Sequence, residues 1–221
     1  MNGKKHQLQS VLLGIIGFLF LMSASVTITL NFRPLYYLDM KLLQIPQESG
    51  YSAALIRENY DRLIDYNNWN GPDVLEFEGM AMSDTARIHF QEVKRVFCLF
   101  EAAAVATGIL FLAGGFFESR KRQYGWLRSA ALCSVGIPLI LGMFILSDWQ
   151  EVFIGFHRLV FRNDYWLFDP AADPIITVLP DTFFMHCAGM IVGLILVGAA
   201  VLYICWKRKS KNASEKLKCE L

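Results

Sequence analysis

The two long polar segments of this sequence, residues 31–95 and 147–183, contain no cysteine. The five cysteines lie elsewhere, four in or at the edges of apolar runs and one in the polar C-terminal tail: Cys98, Cys133, Cys187, Cys205 and Cys219. The sequence therefore does not predict a disulfide framework of the kind that stabilises small secreted domains. Because apolar surroundings disfavour the reactive thiolate, we expect the cysteines to pack against their neighbours rather than act as nucleophiles.

The sequence also lacks an excess of charge of either sign. Its 21 lysines and arginines nearly balance its 20 aspartates and glutamates, which leaves a formal net charge of +1. Nucleic-acid binding depends largely on a basic surface that neutralises phosphates, so the composition gives no support to a nucleic-acid partner.

A third absence is that of a compact metal-ligand spacing such as the HExxH pattern. Four residues could still coordinate a metal if the fold brought them together: His89, His157, Asp169 and Asp173. Since nothing in their spacing favours this arrangement, we predict no metal site and no other cofactor.

Apolar residues dominate what is present, at 54% of the chain. Four runs reach the length of about 20 residues that crosses a bilayer: residues 11–30, 96–117, 126–146 and 184–206. We predict a four-span α-helical integral membrane protein. Gly189, Gly193 and Gly198 in the last run would permit the close approach of another helix.

These runs divide the chain into five predicted parts. They are a cytoplasmic N-terminus with the first transmembrane helix, residues 1–30; a first extracytoplasmic segment, 31–95; the second and third transmembrane helices with a short cytoplasmic loop, 96–146; a second extracytoplasmic segment, 147–183; and the fourth transmembrane helix with a basic cytoplasmic tail, 184–221. The two extracytoplasmic segments are predicted to form a small mixed α/β cap.

Lysines and arginines near the ends of the runs set the predicted orientation. Most of them fall on one side of the membrane: Lys4, Lys5, Arg120, Lys121, Arg122, Arg128, Lys207, Arg208, Lys209 and Lys211. The segment after the third run has only Arg158 and Arg162, and the exception formed by Lys94 and Arg95 is outnumbered. Both termini are therefore predicted to be cytoplasmic.

The first run has a second interpretation, as a cleaved signal peptide. Lys4 and Lys5 precede its apolar core, and a Ser-Ala-Ser sequence at residues 23–25 resembles a cleavage site. The apolar character continues through Thr27 and Leu30, which favours a retained span. In both interpretations the chain that follows emerges on the outer side.

The first outer segment contains a predicted amphipathic helix within residues 51–69. Six apolar residues recur there at helical spacing: Leu55, Ile56, Tyr60, Leu63, Ile64 and Tyr66. Residues 74–77 are predicted as a short strand. Ser83 is a predicted helix N-cap, and the helix it begins is predicted to continue through His89 into the second span.

The second outer segment begins with a predicted helix over residues 148–161, which the polar pair Asn163 and Asp164 terminates. Residues 165–168 and 175–179 are predicted as strands, separated by a turn at Asp169 and Pro170.

Two histidines lie a short helical distance from the outer ends of neighbouring spans. His89 precedes the second span by about two turns, roughly 10 Å at about 1.5 Å per residue, and His157 follows the third span at a similar distance. Two acid/base groups that titrate near neutral pH could therefore meet at the level of lipid esters. The alternative is that each histidine is only an interfacial anchor.

Two stretches of the chain resemble one known family. Residues 83–94, SDTARIHFQEVK, resemble its Ser-x-x-Glu-x-x-His-x-x-Asp-Val-Lys element, with Ala86 in place of the Glu and Glu92 in place of the Asp. Residues 153–184 resemble its second element through FIGFH, WLFDPAAD and LPDTFF. The family is that of the lipoprotein intramolecular transacylases, four-span bacterial membrane proteins, and the resemblance covers essentially the whole chain.

This resemblance implies an enzyme of the bacterial cell membrane. It would move the sn-2 acyl chain of a diacylglyceryl lipoprotein to the α-amino group of the lipoprotein's own N-terminal cysteine, giving a lyso-form lipoprotein. Lipoproteins of this kind and membrane lipid are the implied partners. His89 and His157 are the implied catalytic residues, because one base and one acid near the ester suffice without a cofactor.

Six further residues of the two stretches are predicted to bind the substrate: Glu92, Lys94, Arg158, Trp166, Asp169 and Asp173.

Two other functional classes remain open at the level of sequence. One is a non-catalytic membrane component whose extracytoplasmic cap binds a partner. The other is a transporter, which is disfavoured because no span carries an ionisable residue near its middle, Glu101 lying close to an outer end.

The predicted orientation leads to a labelling experiment. A membrane-impermeant thiol reagent added to intact cells should modify Asn68→Cys and Asp164→Cys, and should modify Lys121→Cys only after the cells are permeabilised. The reverse pattern of labelling would contradict the orientation.

Overall fold

Helices make up all the regular secondary structure in the part of the chain that the computed structural model describes, which is the backbone of residues 2–219. Side chains are described in that range except at residues 2–5, 137, 141, 214 and 216–219. The side chains of Lys4, Lys5 and Cys219, and residues 1, 220 and 221, lie outside it. The helices are α1 (Asn2–Asn31), α2 (Arg33–Leu42), α3 (Ile45–Ser49), α4 (Ala53–Asn67), α5 (Asp84–Arg120), α6 (Gly125–Ser147), α7 (Trp149–Val160), α8 (Ile175–Val178) and α9 (Asp181–Cys219).

Four of these helices are long and apolar enough to cross a membrane. They cover His6–Asn31 within α1, Asp84–Arg120, Gly125–Ser147 and Asp181–Ala213 within α9. Large apolar side chains on them point outward, with Leu112 72% and Leu146 88% exposed, as a surface in contact with acyl chains requires. The prediction of a multi-pass helical membrane protein is confirmed.

Close helix packing at the predicted glycines is confirmed at one of three positions. A Cβ atom at Gly198 would lie 2.7 Å from the Leu21 side chain, so glycine at this position lets α1 and α9 approach without a shift of Leu21. Added Cβ atoms at Gly189 and Gly193 would meet no atom within 4 Å in the described part of the chain, so the prediction is wrong for both.

The chain forms two compact units. The second unit consists of Val26–Glu101 and Phe144–Gly189, and the first consists of the remaining described residues. In the first unit, the Trp126 ring packs edge-on against Phe111 with centroids 5.0 Å apart, and Leu13, Phe20 and Leu202 pack around this pair.

An aromatic stack forms the centre of the second unit. Tyr36 of α2 and Tyr60 of α4 stack with ring centroids 3.8 Å apart, and Phe183 of α9 packs edge-on against both, at 5.0 and 5.9 Å. The Tyr36 hydroxyl donates a hydrogen bond to the carbonyl oxygen of Val178, at 2.6 Å. This bond gives the buried hydroxyl the partner that buried tyrosines usually have, and it joins α2 to α8.

The predicted mixed α/β cap is wrong, since residues 31–95 and 147–183 contain helices and irregular segments but no strand. At the predicted strand 74–77, the Asn59 side chain takes the place of a neighbouring strand. Its carboxamide accepts from the Glu78 N–H at 2.7 Å and donates to the Glu78 carbonyl at 2.9 Å. The Asn59 side chain thus satisfies both backbone groups of Glu78, the residue that follows the predicted strand.

The two strands predicted in the second outer segment are also wrong. Ile175 and Val178 are both buried and lie three residues apart, which fits one turn of helix, and α8 forms despite their β-branched side chains. Residues 165–168 fold back on themselves instead of extending. Leu167 N–H donates to the Asp164 carbonyl, and Phe168 N–H donates to the Trp166 carbonyl, each at 3.1 Å.

The predicted helix starts next to the two histidines are confirmed. Ser83 caps α5 by accepting from the Ala86 N–H at 3.1 Å, and Asp148 caps α7 by accepting from the Glu151 N–H at 3.1 Å. As predicted, α5 runs through His89 without interruption.

The role of Asn59 in this fold leads to a stability measurement. Asn59 is fully buried, and Asn59→Ala removes two hydrogen bonds worth about 1 kcal/mol each. The variant should therefore unfold at a lower temperature than the wild type in detergent micelles. Asn70→Ala is the matched control, because Asn70 is exposed, and it should leave the unfolding temperature unchanged. Equal unfolding temperatures for both variants would contradict the role given to Asn59.

Candidate active site

His89 and His157 meet in the second unit. His89 lies in the second turn of α5 and His157 in the last turn of α7, and their ring centroids are 6.0 Å apart with planes inclined by 33°. The predicted convergence of the two imidazoles is confirmed, and their catalytic role stays a prediction.

The local helix fixes which nitrogen of His157 carries a proton. Nδ1 lies 2.7 Å from the carbonyl oxygen of Phe153, one turn earlier in α7. A carbonyl oxygen only accepts hydrogen bonds, so Nδ1 is the donor, and the neutral ring keeps its lone pair on Nε2. Burial lowers the pKa of His157, and the hydrogen bond to Phe153 offsets part of this effect. The ring is therefore neutral near pH 7, with Nε2 as a basic site.

His89 is the more enclosed of the two and is 7% exposed. Phe161 and Phe168 pack edge-on against its ring with centroids at 4.7 and 5.5 Å, and Phe90 lies at 6.0 Å. Nδ1 is buried and has no hydrogen-bond partner among the described residues. Because an unsatisfied buried nitrogen costs about 1–3 kcal/mol, its presence here indicates a use other than stability.

Aromatic rings also surround His157. Phe153 lies at 4.2 Å, Trp166 at 4.9 Å and Phe161 at 5.6 Å between ring centroids. Neither imidazole is hydrogen-bonded to a carboxylate in the part of the chain that the structure describes. The site is therefore an apolar enclosure that holds two imidazoles and suits a lipid ester better than a charged ligand.

Metal binding finds no support in the arrangement of the acidic and histidine side chains. The described residues contain no group of three or more His, Cys, Asp or Glu that could hold a metal ion. Asp169 and Asp173, which were considered as ligands, have other partners described below.

Three of the six predicted substrate-binding residues lie within three positions of His89 or His157 in the sequence, or in ring contact with His157. The Trp166 ring packs against His157. Arg158 is exposed, one residue after His157 in α7. Glu92 is half-buried one turn after His89, and both its carboxylate oxygens accept from Nδ2 of Asn163, at 2.9 and 3.2 Å.

The other three make structural contacts. Asp173 is buried and accepts from the N–H and the hydroxyl of Ser83, at 2.6 and 2.8 Å. Lys94 donates to the Pro72 and Gly71 carbonyls, at 2.6 and 3.2 Å. Asp169 is exposed and accepts from the Ala171 N–H within its own turn, at 3.0 Å. These contacts explain the three residues without a substrate, and their substrate contacts stay predictions.

Three residues that shape the site are not among those predicted from the sequence. Phe161 and Phe168 form the walls around His89, and Asn163, considered only as a helix breaker, contacts Glu92. Phe161 lies four residues after His157, which is a signal that helical spacing could have given. The partner of Asn163 is 71 residues away in sequence, so no local pattern reveals it.

A third histidine of this unit has a partner of its own. His186 Nδ1 lies 2.9 and 3.0 Å from the two carboxylate oxygens of Asp39, which is 1% exposed. This pair joins α2 to the start of α9, and it accounts for a buried carboxylate that would otherwise be unpaired.

Comparisons with solved structures find the same fold in one named protein. The chain matches an in meso structure of the membrane-integral lipoprotein intramolecular transacylase Lit of Bacillus cereus with a TM-score of 0.93 and 29% identity, over 96% of this chain and 99% of that one. Two structures of the same protein with a substituted histidine, changed to arginine or to alanine, match with TM-scores of 0.88 and 28% identity. The match to the arginine variant covers 97% of this chain and 96% of the variant's chain. The match to the alanine variant covers 97% of each chain.

Sequence comparison gives the family directly. No curated protein sequence matches the chain. The family model described as lipoprotein intramolecular transacylase Lit matches residues 11–184. This range includes the second and third candidate spans, parts of the first and fourth, and both histidines. The chain therefore belongs to the lipoprotein intramolecular transacylase family, whose members are acyl-transferring enzymes.

Proposed function

We propose that this enzyme moves the sn-2 acyl chain of a diacylglyceryl lipoprotein to the α-amino group of the lipoprotein's own N-terminal cysteine, giving a lyso-form lipoprotein. The observation that carries the mechanism is the pair of imidazoles, 6.0 Å apart between centroids, within one aromatic enclosure. Family membership supports the reaction class over the non-catalytic alternative. The imidazole pair supplies the acid and base that such a transfer needs.

His157 is the better candidate for the base. Its hydrogen bond to Phe153 leaves Nε2 with the lone pair, and burial keeps the ring neutral by lowering its pKa. An α-amino group has a pKa of about 8, so a fraction of it is unprotonated near pH 7 and can attack. That amine must then lose one of its two protons to become the amide. In the proposed step, Nε2 of His157 accepts that proton as the amine nitrogen attacks the carbonyl carbon of the sn-2 ester.

The transfer also requires an acid, because the glycerol oxygen that leaves the ester must gain a proton. The new N–C bond forms, the old C–O bond breaks, and the departing glycerol oxygen takes up one proton, so the overall reaction consumes none. We assign this return of a proton to His89, which receives the proton that the neighbouring His157 took from the amine and passes it to the glycerol oxygen, so that both imidazoles end the reaction as they began it. Two neighbouring imidazoles can thus act on the two sides of one tetrahedral intermediate.

No acyl-enzyme is needed in this mechanism. The nucleophile and the ester belong to one molecule, so holding that molecule in a reactive conformation lowers the barrier by avoiding a second encounter. The aromatic rings around both histidines suit acyl chains, and we propose that Trp166 and Arg158 contact the substrate. Cys187 packs against the buried core around Tyr36 and Tyr60, which suits a structural role.

We place the reaction at the outer face of a bacterial cell membrane, with both termini in the cytoplasm. The distribution of lysines and arginines supports this orientation. Diacylglyceryl lipoproteins embedded in the same leaflet would reach the site by lateral diffusion, and membrane lipid would surround the spans.

The proposed chemistry predicts the effect of removing each imidazole. His89→Ala and His157→Ala should each lower the rate of lyso-form production by about 10²–10⁴-fold, the usual contribution of a general acid or base. The double variant should be little worse than either single one, because residues that act as a unit are not additive.

Because the acyl chain moves within one molecule, the substrate and the product have the same mass. Tandem mass spectrometry that locates the acyl chain on nitrogen, together with loss of reaction with an amine reagent, would follow the transfer. His6→Ala in α1 is the matched control and should be fully active. Near-normal activity in either single variant, with normal membrane levels, would contradict the acid/base roles.

Burial of a neutral His157 also predicts a pH dependence of stability. Its pKa is lower in the folded protein than the ordinary value of about 6.5, so the unfolded chain binds more protons as the pH falls below that value. Folding stability contributed by His157 is therefore complete above about pH 6.5 and is lost as the pH falls toward the lowered pKa.

His157→Gln removes this titration. Between pH 7.5 and pH 5.5, its unfolding temperature should fall less than that of the wild type. A fall as large as in the wild type would contradict a buried neutral His157.

A further inference from the structure

Asn163 connects α5, which carries His89, to the turn that packs Trp166 against His157. It lies three residues after α7 ends, and its Nδ2 donates to both carboxylate oxygens of Glu92 on α5, at 2.9 and 3.2 Å. Glu92 follows His89 by three residues, so the two side chains project from the same side of α5. The bond therefore fixes the distance between α5 and the segment after α7, close to His89.

The rest of Asn163 shapes the turn that presents Trp166. Its carbonyl oxygen accepts from the indole N–H of Trp166 at 3.0 Å, and its Oδ1 accepts from the Tyr165 N–H at 3.1 Å. The Trp166 ring held by this turn lies 4.9 Å from the His157 ring, between centroids. Asn163 thus uses its side-chain donor toward Glu92 and its two acceptors within the turn.

These contacts form one continuous path between the two imidazoles. It runs from His89 along one turn of α5 to Glu92, through Asn163 to Trp166, and across the ring contact to His157. A different contact fastens the far end of the segment, where Asp173 accepts from Ser83. Of the two contacts, the one at Asn163 is within the turn that carries Trp166, the residue in ring contact with His157.

We propose that Asn163 is a positioning residue that sets the separation and orientation of His89 and His157, acting through Glu92 and Trp166. This inference rests on the proposed function, because the separation matters only if both imidazoles act on one substrate. Proton transfers to the amine and to the leaving oxygen need both rings within hydrogen-bond reach of one tetrahedral centre. Small displacements of such groups cause large losses of rate.

The proposal also changes the role of Glu92. Both of its oxygens accept from Asn163, so Glu92 holds the segment and is not required as a direct ligand of the substrate. If Glu92 binds the substrate, its substitution should affect KM. If it only holds Asn163, its substitution should affect kcat.

A swap of donor and acceptor tests the proposal. Asn163→Asp places two carboxylates face to face and should lower kcat by about 10–100-fold with little change in KM, as expected when geometry rather than binding is lost. Glu92→Gln still offers an acceptor to Asn163 and should lower kcat less than Asn163→Asp does. In the double variant the new amide at 92 donates to the new carboxylate at 163, so kcat should recover at least about tenfold over Asn163→Asp.

The assay uses the full chain in lipid bilayers with a synthetic lipopeptide that begins with S-diacylglyceryl-cysteine. Conversion is followed by fragmentation that locates the acyl chain on nitrogen, and unfolding temperatures are measured for every variant. Asn70→Asp is the matched control: it adds the same charge at an exposed position and should behave as the wild type.

Each outcome supports or overturns the positioning role of Asn163. No recovery in a folded double variant, or normal kcat in Asn163→Asp, would overturn the positioning role. If Asn163→Asp does not accumulate, Asn163→Ala carries the test, since it removes the donor without adding charge and should lower kcat at constant KM. A wild-type protein that leaves the lipopeptide unchanged would overturn the proposed function, and the inference with it, whereas an active wild type with indifferent variants overturns the inference alone.

Discussion

Side chains that satisfy the backbone of non-helical segments hold the second unit together. These segments have no neighbouring strand to pair with, so their peptide groups need other partners. Asn59 pairs with the backbone of Glu78, Lys94 binds the carbonyls of Gly71 and Pro72, and Glu101 accepts from the Trp69 N–H at 2.8 Å. Each bond crosses from a helix to a loop, so the helices fix the loops' positions.

The enclosure around the histidines depends on that framework. Phe161 and Phe168 come from a segment without regular structure, yet they must pack against one face of α5 to enclose His89. The segment can do this because Asp173 bonds to Ser83 at one end and Asn163 bonds to Glu92 at the other. The apolar surrounding of the two imidazoles is thus built from aromatic rings whose positions depend on a few polar contacts.

Local rules predicted the parts of this fold that local interactions determine. The four spans follow from run length, the starts of α5 and α7 follow from Ser83 and Asp148 as caps, and α4 follows from the spacing of its apolar residues. The three predicted strands are wrong because β-branched and aromatic residues favour a strand only where a partner strand exists, and here residues 165–168 form a turn and residues 175–178 form α8. In the site, both histidines were found from their depth along neighbouring spans, whereas Asn163 and Phe168 depend on contacts between segments far apart in sequence.

The anchor of His157 has a further consequence for how this site can change over time. The acceptor that sets its tautomer is the main-chain oxygen of Phe153, not a side chain. Enzymes that orient a catalytic histidine with an aspartate can lose that orientation through one substitution, but every amino acid supplies a carbonyl at position 153. The helix itself therefore protects the proton on Nδ1 against point mutation, and a substitution at Phe153 would change the ring that packs against His157 but not the acceptor of that proton.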